Sequence, residues 1–475
     1  MIGPRSRRYH VSGWRVCRWM SCLLLLPGML GHAICAEPDV NQVLRQLGRK
    51  QGLVALLGTQ QAQRAIALAR SSDLLIYVQS PETADVQSTR RQVAEAGYFG
   101  TRIFVQRGPL TNIHLADNLA DAVVTGDAGV PRAELLRVVQ PRGLVLQGSS
   151  SATKPVPTGT GEWTHPYHGA DNNPQADDLL ARAPYLTRFL ATPWYGPMPE
   201  VTLSSGGRIF KAFGHLAFKE REWPMLGKLV ALNGYNGAML WQRDLQPGFM
   251  IHRNTIVATP DVLYLADNRS CQLIDTATGK TLDEIVVPEE IADSPSWKWM
   301  TVRGDMLYAL VGPQEKLHQV HRGERKVTGW PWSTVRATYG PYQQSWGFGK
   351  TLIAMHLPSR KLRWTHRTEH PIDSRALCSN GRQFFLYSHP RFLSAVDASN
   401  GQPLWTTSQP ELLQAIGKHD PAENPRLGYA TSSYAKCNTR AIYFAGPQRK
   451  KLVAVSAEDG RLLWTHDDGN VQLVL

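Results

Sequence analysis

The sequence is poor in cysteine, and this excludes a disulfide-stapled protein. Three of its six cysteines lie in the first 36 residues, and the others are Cys271, Cys378 and Cys437. None of these three belongs to a C-x-x-C-H haem motif or a zinc-type pair. At most one disulfide can form among them, so we expect small buried thiols instead of a disulfide framework.

The main hydrophobic run is short, which excludes an ordinary membrane span. The run WMSCLLLLPGML follows a basic segment, and Pro27, Gly28, Gly31 and His32 limit its apolar core to about a dozen residues, against roughly 20 for a span. Small residues at 35 and 36 suit signal peptidase. We therefore predict a signal peptide at 1–36 and export to the periplasm or cell envelope, with membrane attachment only if that signal stays uncleaved.

The positive charge is not gathered into a patch, which argues against nucleic acid as a partner. The net charge is +13, but five of the arginines lie in the predicted signal, where there are no acids. The remainder carries 47 basic and 39 acidic side chains scattered along the chain. A nucleic-acid footprint requires clustering.

Glycine and tryptophan, by contrast, recur in phase. Four segments end in Trp241, Trp364, Trp405 and Trp464, and three of them carry Gly four residues earlier, as in FLSAVDASNGQPLW. A fifth copy, CQLIDTATGKTLD, has Asp283 in the Trp position. The shortest intervals are 42 and 41 residues, the length of a four-stranded propeller blade.

Each repeat predicts a hairpin in which Gly supplies a positive φ and the indole fills the gap between neighbouring blades. A sandwich of ordinary hairpins is the alternative. The pattern over 201–475 resembles the quinoprotein-type repeat of pyrroloquinoline quinone (PQQ) dehydrogenases and of quinone-free propellers that scaffold outer-membrane assembly. We expect an all-β propeller of about five blades. Because the chain stops in a strand pattern, we also expect it to be incomplete, with Trp464 less covered than Trp405.

The region 37–150 has a different pattern, in which apolar runs alternate with helical segments. Strands are expected at 53–57, 74–78, 103–105, 121–125 and 144–147, with helices at 62–69 and 86–96. This order predicts a parallel α/β sheet of Rossmann type. The segments LADNLADAVVT and ELLRVVQPRGLVLQ resemble the second half of a class I S-adenosylmethionine-dependent methyltransferase.

The residues that such an enzyme needs for its cofactor are not there. The turn after the first strand has a single glycine, Gly58, and the second strand ends in Gln79 where an acid should bind the ribose. Gly58 and Gln79 are therefore predicted remnants of a cofactor pocket. The closing strands are also expected to be missing, because Gly148 is followed by the linker SSSATKPVPTGTG. We expect a degenerate, non-catalytic domain.

A polar junction at 151–200 contains GEWTHPYHGADNNPQADD. Here His165, His168 and Asp171 have spacing that permits a metal site, although an irregular surface loop that caps its own backbone is the favoured interpretation. The same segment resembles a junction in large exported bacterial proteins, especially from planctomycetes, that join a methyltransferase-like domain to a quinoprotein-like propeller.

These observations favour a binding or scaffold protein with a protein or cell-envelope partner over an enzyme, and no catalytic residue is identified. Two enzymatic alternatives stay open. A quinoprotein oxidoreductase would need PQQ with Ca²⁺ and an aromatic floor, for which Trp330, Trp332 and Trp346 are candidates. A methyltransferase would need S-adenosylmethionine, which is made and held in the cytoplasm.

Overall fold

The computed structural model describes residues 39–126, 129–183, 194, 196, 199–213, 216–217, 219–246, 253–291, 296–314, 328–329, 347–418, 433–446, 449–469 and 473–475. The predicted signal at 1–36 therefore lies outside the described residues. So do Trp330, Trp332 and Trp346. Within the described ranges, an α/β domain is followed by a propeller built of four-stranded antiparallel sheets.

The α/β domain is a six-stranded sheet in the order β3-β2-β1-β4-β5-β6, parallel except for β6. Its strands are Leu53–Leu57 (β1), Leu75–Ser80 (β2), Ile103–Arg107 (β3), Ala120–Thr125 (β4), Val139–Gln147 (β5) and Ser150–Thr153 (β6). Its helices are Val40–Leu47 (α1), Ala62–Ser71 (α2), Thr83–Glu95 (α3) and Arg132–Val138 (α4). The predicted strands and helices are confirmed.

Alternate residues of the parallel strands enter two hydrophobic cores, one on each face of the sheet. Val54 and Leu56 pack with α1, α2 and α3, whereas Ala55 and Leu57 pack with α4. This arrangement explains why these strands are almost continuously apolar. One expectation was wrong. The segment after Gly148 is not linker from its first residue, because Ser150–Thr153 pairs with β5 and closes that edge of the sheet.

The described part of the propeller contains five four-stranded sheets, each a meander in chain order. The first consists of Pro199–Ser205 (β7), Arg208–Phe213 (β8), Lys228–Asn233 (β10) and Met239–Asp244 (β11). The second consists of Ile256–Ala258 (β12), Val262–Ala266 (β13), Cys271–Asp275 (β14) and Thr281–Ile285 (β15). The third consists of Ser296–Arg303 (β16), Met306–Gly312 (β17), Phe348–His356 (β19) and Lys361–Asp373 (β20).

The fourth sheet consists of Cys378–Ser379 (β21), Gln383–Ser388 (β22), Phe392–Asp397 (β23) and Pro403–Thr407 (β24). The fifth consists of Ala435–Cys437 (β25), Ala441–Phe444 (β26), Leu452–Ser456 (β27) and Leu462–His466 (β28). Between them lies helix Pro410–Ile416 (α5), and a short extra pair joins Leu216–Ala217 (β9) to Thr328–Gly329 (β18).

Successive sheets stack face to face, and a separate hydrophobic core lies between each neighbouring pair. Burial distinguishes the two ends of each sheet. The first strands β12, β21 and β25 are entirely buried, whereas the fourth strand β28 is exposed along its whole length. The first strands therefore face the axis of the propeller, and the fourth strands form its rim.

The repeated tryptophans join one blade to the next through an indole seat, which is the turn glycine of the following blade together with the carbonyl three residues before it. Trp241, Trp364 and Trp405 donate their indole N–H groups to Thr276, Ala398 and Ala457 at 2.9, 3.2 and 3.0 Å. A Cβ on Gly279, Gly401 or Gly460 would lie 2.6 Å from the same ring. The glycine is thus required twice, for its positive φ and for the space that the indole occupies.

Between the second and third blades, an ion pair replaces the indole seat. Asp283 stands in the Trp position of the second blade, and Arg360, with φ +56°, stands in the Gly position of the third. The two side chains form a salt bridge, and Arg360 lowers the pKa of Asp283. Both members of the Trp–Gly pair are thus exchanged together, and the blade-to-blade contact is kept.

Candidate functional site

The two predicted remnants of a cofactor pocket lie side by side at the carboxyl ends of adjacent parallel strands. Gly58 follows β1 with φ +107°, and its N–H donates to the carbonyl of Gln79 at the end of β2, at 3.0 Å. That Gly58 and Gln79 are remnants of a cofactor pocket stays a prediction.

The side chain of Gln79 is fully buried and already satisfied. Its amide donates to the carbonyls of Pro109 and Asn112 at 2.8 and 2.9 Å. Its oxygen accepts from the N–H of His114 and the hydroxyl of Tyr77 at 2.9 and 2.7 Å. Because an amide has two donor and two acceptor positions, none is left for a ribose hydroxyl. Gln79 holds the segment after β3 over the end of β2.

The opposite, amino-terminal end of these parallel strands is joined to the propeller through Asp121, at the start of β4. Its side chain is 0% exposed and accepts from five donors. The donors are Leu53 N, Gln140 Nε2, Asn233 Nδ2, Asn236 Nδ2 and Arg49 Nη2, at 2.6, 2.8, 2.8, 2.8 and 2.5 Å. The two asparagines belong to the repeat turn of the first blade, so this turn is hydrogen-bonded to the α/β domain.

Burial raises the pKa of Asp121, and the charge of Arg49 with the hydrogen bonds acts in the opposite direction. All five partners are donors, so a proton on either carboxylate oxygen would meet another hydrogen instead of an acceptor. We therefore take the ionised form as the one that this site holds. The packing is close here, since a Cβ on Gly52 would lie 2.3 Å from Oδ2.

Residues 162–173, here called the axial segment, run past the first strands of all five sheets in chain order. Trp163 forms a bridge with Ser204 of the first blade, and the carbonyl of Thr164 accepts from Ala258 of the second. His165 Nε2 lies 2.9 Å from Thr301 Oγ1 of the third. The carbonyls of Ala170 and Asp171 accept from Ser379 and Cys437 of the fourth and fifth.

Asn172 completes these contacts from a buried position with φ +58°. Its amide donates to the carbonyls of Leu377 and Ala435 at 2.9 and 3.0 Å, joining the fourth and fifth blades. The expectation of a surface loop was therefore wrong at His165 and Asn172. The segment is irregular, as expected, but its polar groups satisfy the inner strands of the propeller as well as their own backbone.

The three candidate metal ligands in this segment have different partners. Both ring nitrogens of His165 are used, Nδ1 by Thr164 and Nε2 by Thr301, whereas His168 Nε2 lies 3.2 Å from Asp177. Asp171 accepts from the N–H of Asn173. Across the described ranges, no cluster of three or more His, Cys, Asp or Glu side chains has metal-binding geometry. The metal site stays a sequence prediction.

Acid should destabilise the protein through His165. Burial, followed by the charge of His168, lowers the pKa of His165 from 6.5 to about 4. Between these values the unfolded chain takes up a proton that the folded chain refuses, so this contribution is present above pH 6.5 and is lost as the pH falls to 4. We expect a loss of about 3 kcal/mol of unfolding free energy. In denaturant titrations, His165→Gln should show a correspondingly shallower pH dependence than wild type, and equal slopes would contradict this assignment.

The cysteines behave as the sequence predicts. Cys271, Cys378 and Cys437 are all free and buried. Burial raises the pKa of the Cys271 and Cys437 thiols, which keeps them protonated and unreactive.

Residues 345–473 match the family model described as outer membrane protein assembly factor BamB. The C-terminal part of the chain therefore resembles a PQQ-like repeat protein. Among solved structures, BamB from Moraxella catarrhalis is similar at 13% identity and TM-score 0.34, over 57% of this chain and 63% of that one. A europium-containing methanol dehydrogenase is similar at 12% identity and TM-score 0.32, over 55% and 60%.

Other solved structures are similar to a smaller share of the chain. A putative S-adenosylmethionine-dependent methyltransferase from Methanococcus maripaludis is similar at 23% identity and TM-score 0.21, over 22% of this chain and 51% of that one. The chain thus spans less than two thirds of each of these structures. No curated protein matches the sequence. In the part of the chain that is described, no helix has the length and apolarity to cross a membrane.

Proposed function

We propose that this protein is an exported scaffold whose propeller binds a protein partner in the cell envelope, and that its methyltransferase-like domain serves as a structural module. The observation that carries this proposal is that the polar groups in the interior are bonded to other parts of the same chain. The axial segment is bonded to the inner strands of five blades, and Gln79 is saturated by its own chain. The exposed rim then remains for binding.

The rim of the fifth blade has the character of a binding surface. Leu462, Leu463 and Trp464 on β28 are 39%, 38% and 46% exposed. The other three repeat tryptophans occupy indole seats, but Trp464 has none among the described residues. Adjacent exposed apolar side chains of this kind mark interaction sites more often than isolated ones, and Trp is enriched where proteins bind. The similarity of 345–473 to an assembly factor agrees with this assignment.

Photo-crosslinking in the producing cell tests the proposal. A photoreactive amino acid at Leu463 should give a discrete protein adduct in the envelope fraction, whereas the same residue at Arg91, exposed on α3, should not. N-terminal sequencing of the isolated protein should begin at Glu37. Adducts from neither site, or the same adducts from both, would overturn the binding surface. An intact N-terminus in the cytoplasm would overturn export.

Neither enzymatic cofactor should stabilise the full-length protein. A ligand that binds only the folded state adds about 2.7 kcal/mol at a hundred times its dissociation constant, which a melting scan detects. We expect no such shift with S-adenosylmethionine, because the Gln79 side chain has no free hydrogen-bonding position. We expect none with PQQ and Ca²⁺, because the axial segment lies along the inner strands. A saturable shift with either would support the corresponding enzyme.

A further inference from the structure

A cavity of about 140 Å³ lies between the α/β domain and the first two blades. Three arginines line it: Arg49 after α1, Arg142 in β5 and Arg208 at the start of β8. No carboxylate is found among the described residues that line it. Two of the cations therefore come from the α/β domain and one from the propeller.

Two guanidinium groups at this cavity keep buried donors without partners. Arg49 uses Nη2 on Asp121, and Arg208 uses Nη1 on the carbonyls of Gly206 and Pro260, at 3.4 and 3.2 Å. The Nε atoms of Arg49 and Arg208 are both buried and have no hydrogen-bond partner. A buried charged donor without an acceptor is destabilising, so an unfilled pair of this kind requires an explanation.

The positive charge around the cavity is a second reason to expect a negatively charged ligand there. Burial, followed by the positive charges of Arg49 and Arg142, lowers the pKa of Arg208, against a smaller opposite effect of Asp275 and Asp261. Arg49 and Arg142 therefore both repel the partly desolvated guanidinium group of Arg208. Arg142 is itself held with φ +65°, a conformation that an arginine rarely adopts, and this places its side chain at the cavity.

We propose that this cavity binds a small tetrahedral oxyanion, free phosphate, between the three arginines. Guanidinium groups bind phosphate oxygens through paired N–H donors, and an anion at the cavity would offset the charge of two guanidinium groups whose Nε atoms have no partner. The volume suits phosphate and is below the roughly 300 Å³ at which organic ligands are usually enclosed. Because the arginines come from both parts of the molecule, the bound anion fixes the α/β domain to the propeller.

Titration calorimetry and melting scans of the full-length protein test this in a buffer free of phosphate and sulfate. Inorganic phosphate should bind saturably and raise the melting temperature, while sodium chloride at matched ionic strength should not. Arg208→Gln should weaken phosphate binding at least about tenfold, the loss of one charged hydrogen-bonding group. Arg91→Gln, which removes an exposed arginine elsewhere, should leave binding unchanged. Glycerol 2-phosphate is the second arm. Its equal binding would show that the site takes phosphate esters, and would overturn the assignment to the free anion.

Arg142→Asn keeps the test informative if Arg208→Gln fails to fold. Asparagine tolerates a positive φ, and the Arg142 side chain is exposed, so this variant should be at least as stable as wild type without phosphate. Its phosphate affinity should nevertheless fall several-fold. Two results would overturn the site and leave only a general salt effect. One is wild-type phosphate affinity in both Arg142→Asn and Arg208→Gln. The other is a linear rise in melting temperature with phosphate that every variant shares.

Discussion

Replacing Trp364 with alanine is expected to lower the free energy of unfolding by about 3–5 kcal/mol. The side chain is 9% exposed, packs with Tyr308 and Phe384 and fills the seat formed by Gly401. Trp405→Ala should cost somewhat less, because Trp405 is only partly buried. Trp464→Ala, at 46% exposure and without a seat in the described chain, should cost about 1 kcal/mol or less.

Denaturant unfolding of the three variants measures this order, and Gly401→Ala gives the matched control. A Cβ at Gly401 would lie 2.6 Å from the Trp364 ring, so the change should be severe in wild type. In the Trp364→Ala background only the backbone strain of φ +76° remains, about 1 kcal/mol. Additive losses in the double variant, or equal losses at Trp364 and Trp464, would contradict the indole seat.

Asp121→Asn should destabilise the protein by about 3–5 kcal/mol, the usual cost of removing one partner of a buried ion pair. Asparagine has the same shape, but it leaves Arg49 without a charged partner and turns an N–H group towards the amide donor of either Asn233 or Asn236, which bond to different oxygens of Asp121. The loss should appear in denaturant unfolding. The α/β domain should also separate from the first blade, which limited proteolysis detects as faster cleavage at 154–160.

Asp73→Asn makes the same chemical change on the surface and serves as the control. Asp73 is 73% exposed and lies 3.9 Å from Arg102, so its loss should cost less than about 1 kcal/mol. Similar effects of the two substitutions would show that Asp121 is not held as a carboxylate. They would also show that the contact between the α/β domain and the first blade does not depend on the charge of Asp121.

The propeller was predictable because its signal is local and repeated. A hairpin with Gly and Trp four residues apart appears in three of the five copies. The alternation of strands and helices likewise predicted the parallel sheet. What the repeat did not reveal is why Gly and Trp occur together, since the indole contacts the glycine of the next copy and not its own. For the same reason the Asp283–Arg360 exchange was missed, although Arg360 in a glycine position was a visible signal.

The axial segment was harder to predict because its partners are remote in sequence. His165 and Asn172 lie in a stretch rich in Pro, Asn and Asp, which is the ordinary composition of an exposed loop. Nothing near them indicates that Thr301, Leu377 or Ala435 lies beside them in the fold. Gln79 is a similar case: its identity indicated a lost cofactor contact, but only the structure shows the carbonyls that it now holds.

The axial segment also constrains the order in which the molecule can assemble. Asn172 bonds to residues 205 and 263 positions further along the chain. Until the fourth and fifth blades exist, its amide and the inner strands that it joins have only water as a partner. The contact order of the propeller is therefore high, and the entropy of closing these long loops is lost before the contacts form. Individual blades can form as they are synthesised, but the contacts of the axial segment must wait for the fifth blade, so these contacts form late and slowly.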